Sequence, residues 1–134
     1  MEITRTGERP TKVAGPEAFT GHVTHQPIIR APAPARIRSL VVTFAPGART
    51  HWHHHPIGQT LYVLSGIGRI QKQGEPLHEI RPGDTVWIAP GEVHWHGAAP
   101  DHAMVHIAMQ EEDEGSGTVW LHPVSDADAS APVA

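Results

Sequence analysis

The sequence predicts an all-β fold, either a sandwich or a barrel of short strands. From Arg36 onward, runs of alternating or β-branched residues recur at nearly regular spacing, among them RIRSLVVTF, QTLYVLSG, DTVWIAP and MVHIAMQ. Turn sequences rich in Pro and Gly separate these runs, such as APGA at 45–48 and RPGD at 81–84. No strong amphipathic helical pattern lies between them. Short alternating runs divided by frequent turns are typical of antiparallel sheets.

Three regions follow one another along the chain. Residues 1–35 are rich in Pro, Gly, Ala and Thr, which predicts an arm with one or two short strands. The arm has too few apolar residues to fold alone, so we expect it to pack on a neighbouring subunit, or to exchange strands with it, in a homo-oligomer (dimer or tetramer). Residues 36–125 form the predicted barrel. Residues 126–134 are small and polar and predict a flexible tail.

Composition restricts the classes of function. The 134 residues are enough for one domain, and the net charge is −4 with scattered basic residues, which argues against a nucleic-acid partner. No apolar run approaches the roughly 20 residues that cross a bilayer, so no membrane association is expected. The first residues contain no apolar signal segment, and we therefore expect a cytoplasmic protein that acts on a small molecule.

Histidine is the unusual feature of the composition. The chain has no cysteine but twelve histidines, several times the ordinary usage. A metal site in this protein must therefore use imidazole, carboxylate or amide ligands rather than thiolate. The excess of histidine directs attention to such a site.

The segment HWHHH at 51–55 is the densest histidine cluster. In a strand, residues two apart share a face, so His53 and His55 project together while Trp52 and His54 point away. Gln59 has the same parity and follows a bend at Pro56 and Gly58, so it could return to the same place. A solvated surface tract that binds metals adventitiously is the alternative interpretation.

Two later segments repeat the alternating arrangement. In EVHWHG, His94 and His96 flank Trp95 and share a face, which makes a further ligand available from a distant strand. In MVHIAMQ, His106 and Gln110 share a face with Met104 and Ala108. If that face is inward, His106 and Gln110 enter the interior of the barrel. A histidine that only packs and forms hydrogen bonds is the alternative for His106.

The spacing of these residues resembles the cupin family. Gly47, His53, His55, Gln59 and Gly66 fall at the intervals of the first cupin motif. The stretch from Gly83 through Pro90 and Gly91 to His94 is similar to the second motif. This resemblance implies a double-stranded β-helix, or jelly-roll barrel, with one metal inside it.

Over most of the chain, the sequence looks like the small bacterial cupins that act as manganese-dependent hydroxynitrile lyases. The resemblance implies that a divalent metal, Mn²⁺ before Fe²⁺, Zn²⁺ or Ni²⁺, is bound by His53, His55, Gln59 and His94. It places three catalytic candidates in the pocket, and we assign the general base to His106, with His96 as the alternative and Gln110 as a further pocket residue. Leu40, Val42 and the strand that carries Trp87 are expected to form an apolar wall.

Gln59 departs from the usual cupin motif, which has Glu at this position, and Ala89 and Ala98 replace the Pro and Asn of the second motif. Three imidazoles and an amide are all neutral, so they leave the charge of a divalent ion uncompensated. This favours polarisation of a substrate oxygen over redox chemistry with dioxygen. In the alternative interpretation, a water takes the ligand position and Gln59 does not bind the metal directly.

The cupin fold by itself leaves several functions open. The resemblance implies cleavage of a cyanohydrin to a carbonyl compound and hydrogen cyanide, and the reverse addition. A metal-dependent dioxygenase or a decarboxylating lyase is a second hypothesis. A non-catalytic module that binds a small molecule is a third, from a different functional class.

Overall fold

The computed structural model describes residues 1–115 and 117–134, and strands dominate it. The strands in these ranges are, in order, β1 (Lys12–Val13), β2 (Phe19–Thr20), β3 (Val23–Arg30), β4 (Ile37–Phe44), β5 (Arg49–Thr50), β6 (His53–His54), β7 (Gln59–Gly66), β8 (Gly68–Lys72), β9 (His78–Ile80), β10 (Thr85–Ile88), β11 (His94–Ala98), β12 (Met104–Glu111) and β13 (Val119–Trp120). This confirms the predicted all-β class.

Helical structure is limited, within the described ranges, to two short segments. A 3₁₀ turn spans Thr6–Glu8, and the helix α1 spans Asp126–Ala129. Neither segment has the length and apolar character that a membrane-crossing helix needs.

The strands form two antiparallel sheets, as expected for a jelly roll. One sheet has the order β1-β3-β4-β12-β7-β10. The other has the order β13-β6-β11-β5-β2, with β8 paired to β11 and β9 paired to β8. Strand β11 therefore pairs with three others, β5, β6 and β8, and connects the two halves of the second sheet.

Apolar side chains fill the space between the sheets and cover one end. The larger core cluster includes Phe44, Leu61, Val63 and Met104, all fully buried. A smaller cluster is formed by Trp52, Leu77, Trp95 and Val124. Because Trp52 and Trp95 pack in this second cluster, the alternating histidines on β6 and β11 point the other way, into the barrel.

The register of β12 against β4 determines which side chains share a layer of the barrel. His106 lies opposite Val42, Ala108 opposite Leu40, and Gln110 opposite Arg38. Residues directly opposite in an antiparallel pair project to the same face. The alternation predicted for 104–110 is therefore present, and its histidine faces inward.

The N-terminal arm contributes strands to both sheets of its own chain. Strand β3 pairs along its length with β4, β1 pairs with β3, and β2 pairs with β5. The boundary expected at residue 36 therefore falls inside the β3–β4 hairpin. Contact of the arm with a neighbouring subunit remains a prediction.

The C-terminal segment makes more contacts than the expected flexible tail. Ser125 caps α1 by accepting a hydrogen bond from the Asp128 N–H. The buried guanidinium of Arg49 donates to the Val124 carbonyl and to Asp126, and Arg69 donates to the carbonyls of Ala129 and Ala131. Composition does not reveal these contacts, because the tail provides only backbone carbonyls and one carboxylate to two arginines of the barrel.

Candidate metal centre

A cavity of about 270 Å³ opens between the two sheets. Apolar side chains of β3, β4 and β12 form one wall. Polar, charged and aromatic groups line the rest of it, namely Phe19, Arg30, Arg38, Ser39, Thr50, His53, His55, Gln59, His96, His106, Gln110, Glu112, Thr118 and Trp120. The predicted pocket histidines His96 and His106 are therefore both at the cavity.

The first histidine pair converges as the strand parity predicts. His53 and His55 are both buried, and their ring centroids lie 4.9 Å apart. His54, between them, is half-buried and points away. This arrangement does not fit a solvated surface tract.

His94 reaches the same place from the distant strand β11. Strand β11 is antiparallel to β6, and His94 lies directly opposite His53 in the register. The ring centroids of His94 are 4.2 Å from His53 and 5.5 Å from His55. The rings of these three buried histidines therefore pack against one another inside the barrel.

The hydrogen bonds of these three rings fix their tautomers. Each Nδ1 lies within 2.8 Å of a backbone carbonyl oxygen: His53 at His51, His55 at Gly117, and His94 at Glu92. A carbonyl only accepts, so Nδ1 carries the proton and Nε2 carries the free lone pair. Nε2 of His55 and of His94 is buried, and neither has a hydrogen-bond partner among the residues that the structure describes. Histidines that bind metals typically have this arrangement, with one ring N–H donated to a carbonyl.

The three rings are uncharged at neutral pH. Burial lowers the pKa of His53 well below its usual range, and the neighbouring rings of His94 and His55 lower it further. Burial lowers the pKa of His94 to about 4, and it also lowers the pKa of His55. Neutral imidazole is the form that binds a metal, so the site is ready for a cation without releasing protons.

Gln59 presents an amide oxygen to the same site. Its Nε2 donates to Oε1 of Gln110 at 3.0 Å, while its own Oε1 is buried and has no hydrogen-bond partner in the described part of the chain. Gln110 fixes the orientation of the Gln59 amide. Gln110 is itself held in place, because its Nε2 donates to the Gly117 carbonyl at 3.0 Å. The carbonyl of Gly117 therefore orients both His55 and, through Gln110, the amide of Gln59.

These four groups suit a divalent metal. Three imidazole nitrogens and one amide oxygen are a donor set that binds Mn²⁺, Fe²⁺, Zn²⁺ or Ni²⁺. Buried acceptors without partners are costly unless something satisfies them, and a cation would satisfy them here.

His96 and His106 form a second pair of rings in the cavity, and a hydrogen bond joins them. His106 Nε2 lies 3.0 Å from His96 Nδ1, and Phe44 packs against both rings. The outer nitrogens, His96 Nε2 and His106 Nδ1, are buried and have no hydrogen-bond partners within residues 1–115 and 117–134. Burial lowers the pKa of His106 to about 4, and burial together with the other imidazoles lowers the pKa of His96. The pair is neutral and holds one proton between its two rings.

His96 also lies near the metal ligands. The ligand nitrogens of His53, His94 and His96 are all within 4.8 Å of one another. Since His106 occupies Nδ1 of His96, Nε2 is the nitrogen left to face a metal. The structure therefore adds His96 to the predicted group as a rival of His55 for the third imidazole position.

Some residues of the cavity wall differ from those expected. No residue of β10 is among the described lining residues of the cavity, and Trp87 is 62% exposed, so the expectation that this strand forms part of the apolar wall is wrong. Strand β10 instead turns the flanking Ile88 inward. Trp120 on β13 takes the aromatic position, with its ring 4.7 Å from that of His53. Phe19 of the N-terminal arm packs on Trp120.

Known proteins with similar sequences and folds show the family and the fold of the chain. Residues 40–109 match the Cupin domain family. The chain is 49% identical to an (R)-mandelonitrile lyase of Granulicella tundricola, over 94% of this chain and 96% of the relative. A cupin-like protein from Thermotoga maritima has a similar structure, with a TM-score of 0.83 and 38% identity over 88% of this chain and 92% of that one. A polyketide cyclase from Streptomyces resistomycificus shares the fold alone, with a TM-score of 0.73 and 22% identity over 90% of this chain and 87% of that one.

Proposed function

The chain belongs to the cupin family, and from this premise we propose that it is a metal-dependent hydroxynitrile lyase. Such an enzyme cleaves a cyanohydrin, for example mandelonitrile, to an aldehyde or ketone and hydrogen cyanide, and it catalyses the reverse addition. The observation that carries the proposal is a neutral, buried histidine pair, His96 and His106, in the cavity that His53, His55 and Gln59 also line, with the ring of His94 packed against His53. Similarity to an (R)-mandelonitrile lyase along nearly the whole chain supports it.

The metal in this proposal is held by His53, His55, Gln59 and His94. Mn²⁺ is the ion that the family resemblance implies, with Fe²⁺, Zn²⁺ and Ni²⁺ as alternatives. When bound, a divalent ion supplies Lewis acidity toward an oxygen of the substrate. All four groups are neutral, so the chain adds no negative charge that would weaken this effect.

His106 is the proposed general base. When the shared proton lies on His106 Nε2, His106 Nδ1 has a free lone pair and His96 Nε2 carries a proton. His106 Nδ1 then takes the proton of the cyanohydrin hydroxyl, the bond to the nitrile carbon breaks, and its electron pair leaves with cyanide. The imidazolium of His106 returns the proton to cyanide, which completes hydrogen cyanide. His96 Nε2 provides a hydrogen-bond donor during this step.

Gln110 has a supporting role in this proposal. It lines the cavity and its amide holds Gln59, so it positions the ligand oxygen. This assigns Gln110 to the orientation of the site rather than to proton transfer.

The proposal is tested by an assay of purified, metal-loaded protein with mandelonitrile. We expect benzaldehyde and cyanide to form in equal amounts with no consumption of oxygen. Oxygen uptake with this substrate would support a dioxygenase instead. No turnover of mandelonitrile or aliphatic cyanohydrins would remove the lyase proposal.

Gln59→Glu is expected to bind Mn²⁺ as tightly or more tightly, and to cleave mandelonitrile about tenfold more slowly per bound metal, a loss of about 1.4 kcal/mol in transition-state stabilisation. The new carboxylate cancels part of the charge at the site, and it also faces Oε1 of Gln110, which loses its donor. Metal titration and initial rates measure both effects. Gln73→Glu, which adds the same charge on the surface, is the matched control. Tighter metal with unchanged turnover would show that charge at this site does not limit the reaction.

We also propose that the protein is a homo-oligomer. The outer face of the six-stranded sheet exposes Tyr62, Leu64 and Trp87 on the adjacent strands β7 and β10. Neighbouring apolar side chains of this kind are typical of a subunit interface. Light scattering at micromolar concentration is expected to give the mass of a dimer or tetramer. A monomer mass throughout that range would contradict this prediction.

A further inference from the structure

The mouth of the cavity carries an excess of positive charge. Apart from the neutral histidines, the charged side chains among the described lining residues are Arg30, Arg38 and Glu112. Two guanidinium groups therefore face one carboxylate. This positive opening stands in a protein whose net charge is −4. A positive cavity mouth on a negatively charged protein indicates a local role for these two arginines.

Arg38 is held in place with part of its guanidinium unused. It lies on β4 with the same parity as Leu40 and Val42, so its side chain enters the same cavity. Nη1 donates to the carbonyls of Ala31 at 3.1 Å and Ile37 at 2.9 Å, which fix the group. Among the described residues, Nη2 has no hydrogen-bond partner. The planar fork of Arg38 is therefore preorganised to receive a ligand.

The ion pair with Glu112 does not satisfy Arg38. Nε of Arg38 is 3.3 Å from Oε2 of Glu112, yet both atoms are buried and neither forms a hydrogen bond with any described residue. A charged group buried without a good partner is costly, and removing that cost is a source of binding energy for a ligand.

Arg30 adds a second positive charge directly across the sheet. It lies opposite Arg38 in the β3–β4 register, a position in which like charges destabilise a strand pair. Its Nη2 is 3.7 Å from the same Glu112 oxygen, and its side chain is mostly exposed. One carboxylate shared by two arginines leaves about one positive charge at the opening.

We propose that this mouth binds an anionic group of the substrate, so that the preferred substrate carries a carboxylate remote from its reacting carbon. The inference rests on the proposed lyase function and names its substrate class. The order of the layers supports it. The proposed base His106 lies opposite Val42, Arg38 lies opposite Gln110 at the mouth, and Leu40 opposite Ala108 makes an apolar layer between the base and Arg38. An aryl ring suits this middle layer, and a carboxylate on its far side meets Arg38, whose fork matches a carboxylate.

The test compares cleavage of 4-carboxymandelonitrile with cleavage of its neutral methyl ester. We expect the wild-type, metal-loaded protein to prefer the carboxylate in kcat/KM, and the preference to fall as salt is added. Arg38→Gln is expected to reduce this preference about tenfold or more, mainly through KM, because a charge-assisted hydrogen bond is lost. Arg38→Lys keeps the charge and is expected to recover part of it. Glu112→Gln is expected to increase the preference, because it removes the opposing carboxylate.

Arg81→Gln removes one arginine that does not line the cavity and is the matched control, with no expected effect on the preference. Equal kcat/KM ratios in the wild type and Arg38→Gln, with both substrates cleaved, would overturn the inference and leave the lyase function intact. If neither substrate is cleaved, the lyase function fails. Calorimetric binding of 4-formylbenzoate and of its methyl ester then tests whether the mouth of the cavity binds an anion. Tighter binding of the anion that Arg38→Gln abolishes supports the inference. Equal binding of the two overturns it.

Discussion

His106→Ala is expected to retain bound metal and to lose mandelonitrile cleavage by about 10²- to 10⁴-fold, the usual effect of removing a positioned general base. The imidazole is fully buried at the cavity and belongs to none of the proposed metal-binding groups. Burial keeps its pKa near 4, so at neutral pH the ring is free to accept a proton. A histidine that only packs would instead reduce stability and leave turnover per folded chain nearly unchanged.

The comparison requires rates normalised to bound metal and to folded protein. His102→Ala, which removes an exposed imidazole far from the cavity, is the matched control. If His96→Ala shows the large loss and His106→Ala does not, the base is His96 and the shared proton lies on its Nδ1. If both variants keep their turnover, proton transfer uses water or another group, and the assignment of the histidine pair fails.

His94→Ala is expected to lose both the metal and essentially all cleavage. His94 is the imidazole that lies directly opposite His53, and its Nε2 has no other partner. A metal that binds only the folded protein stabilises it by about 2.7 kcal/mol at a hundredfold excess over its Kd. For a chain of this length that is about 10 °C in Tm. Adding Mn²⁺ should therefore raise the Tm of the wild type by this amount and leave His94→Ala unchanged.

The same measurement decides between the two rivals for the third imidazole position. If His55 is the ligand, as proposed, His55→Ala weakens the stabilisation by Mn²⁺ and His96→Ala does not. If His96→Ala alone weakens it, the ligand set is His53, His94 and His96, which are the three rings whose nitrogens lie within 4.8 Å of one another. His106 would then donate from Nδ1, because His96 Nδ1 would have to carry the shared proton.

Strand parity accounts for the part of the site that the sequence predicts. The alternation of side chains in a strand places His53 with His55, His94 with His96, and His106 with Gln110, and each of these pairs shares the inner face. The same argument applied to Arg38, two residues before Leu40 on β4, would also have placed it in the cavity. The segment around Arg38 contains no histidine, so the excess of histidine does not point to this position.

Other features leave no trace in a pattern. The carbonyl of Gly117 orients both His55 and Gln110, but every residue has a carbonyl, so no residue type marks this role. The hydrogen bond between His96 and His106 joins strands of different sheets. Alternation within one strand does not predict contacts between sheets. The apolar residues of the strand that carries Trp87 do not tell which wall of the barrel the strand forms, and the described lining of the cavity contains none of them. Trp120 lies on a strand of two residues, too short to show alternation.

The central claim is that cleavage of a cyanohydrin depends on one metal held at this histidine and glutamine site. The most direct test strips the protein of metal by chelation, returns Mn²⁺ in steps, and follows mandelonitrile cleavage against the metal bound per chain. We predict no cleavage without metal and a linear rise that ends at about one ion per chain, the occupancy expected for a single site. Cleavage that survives complete removal of the metal would contradict the account.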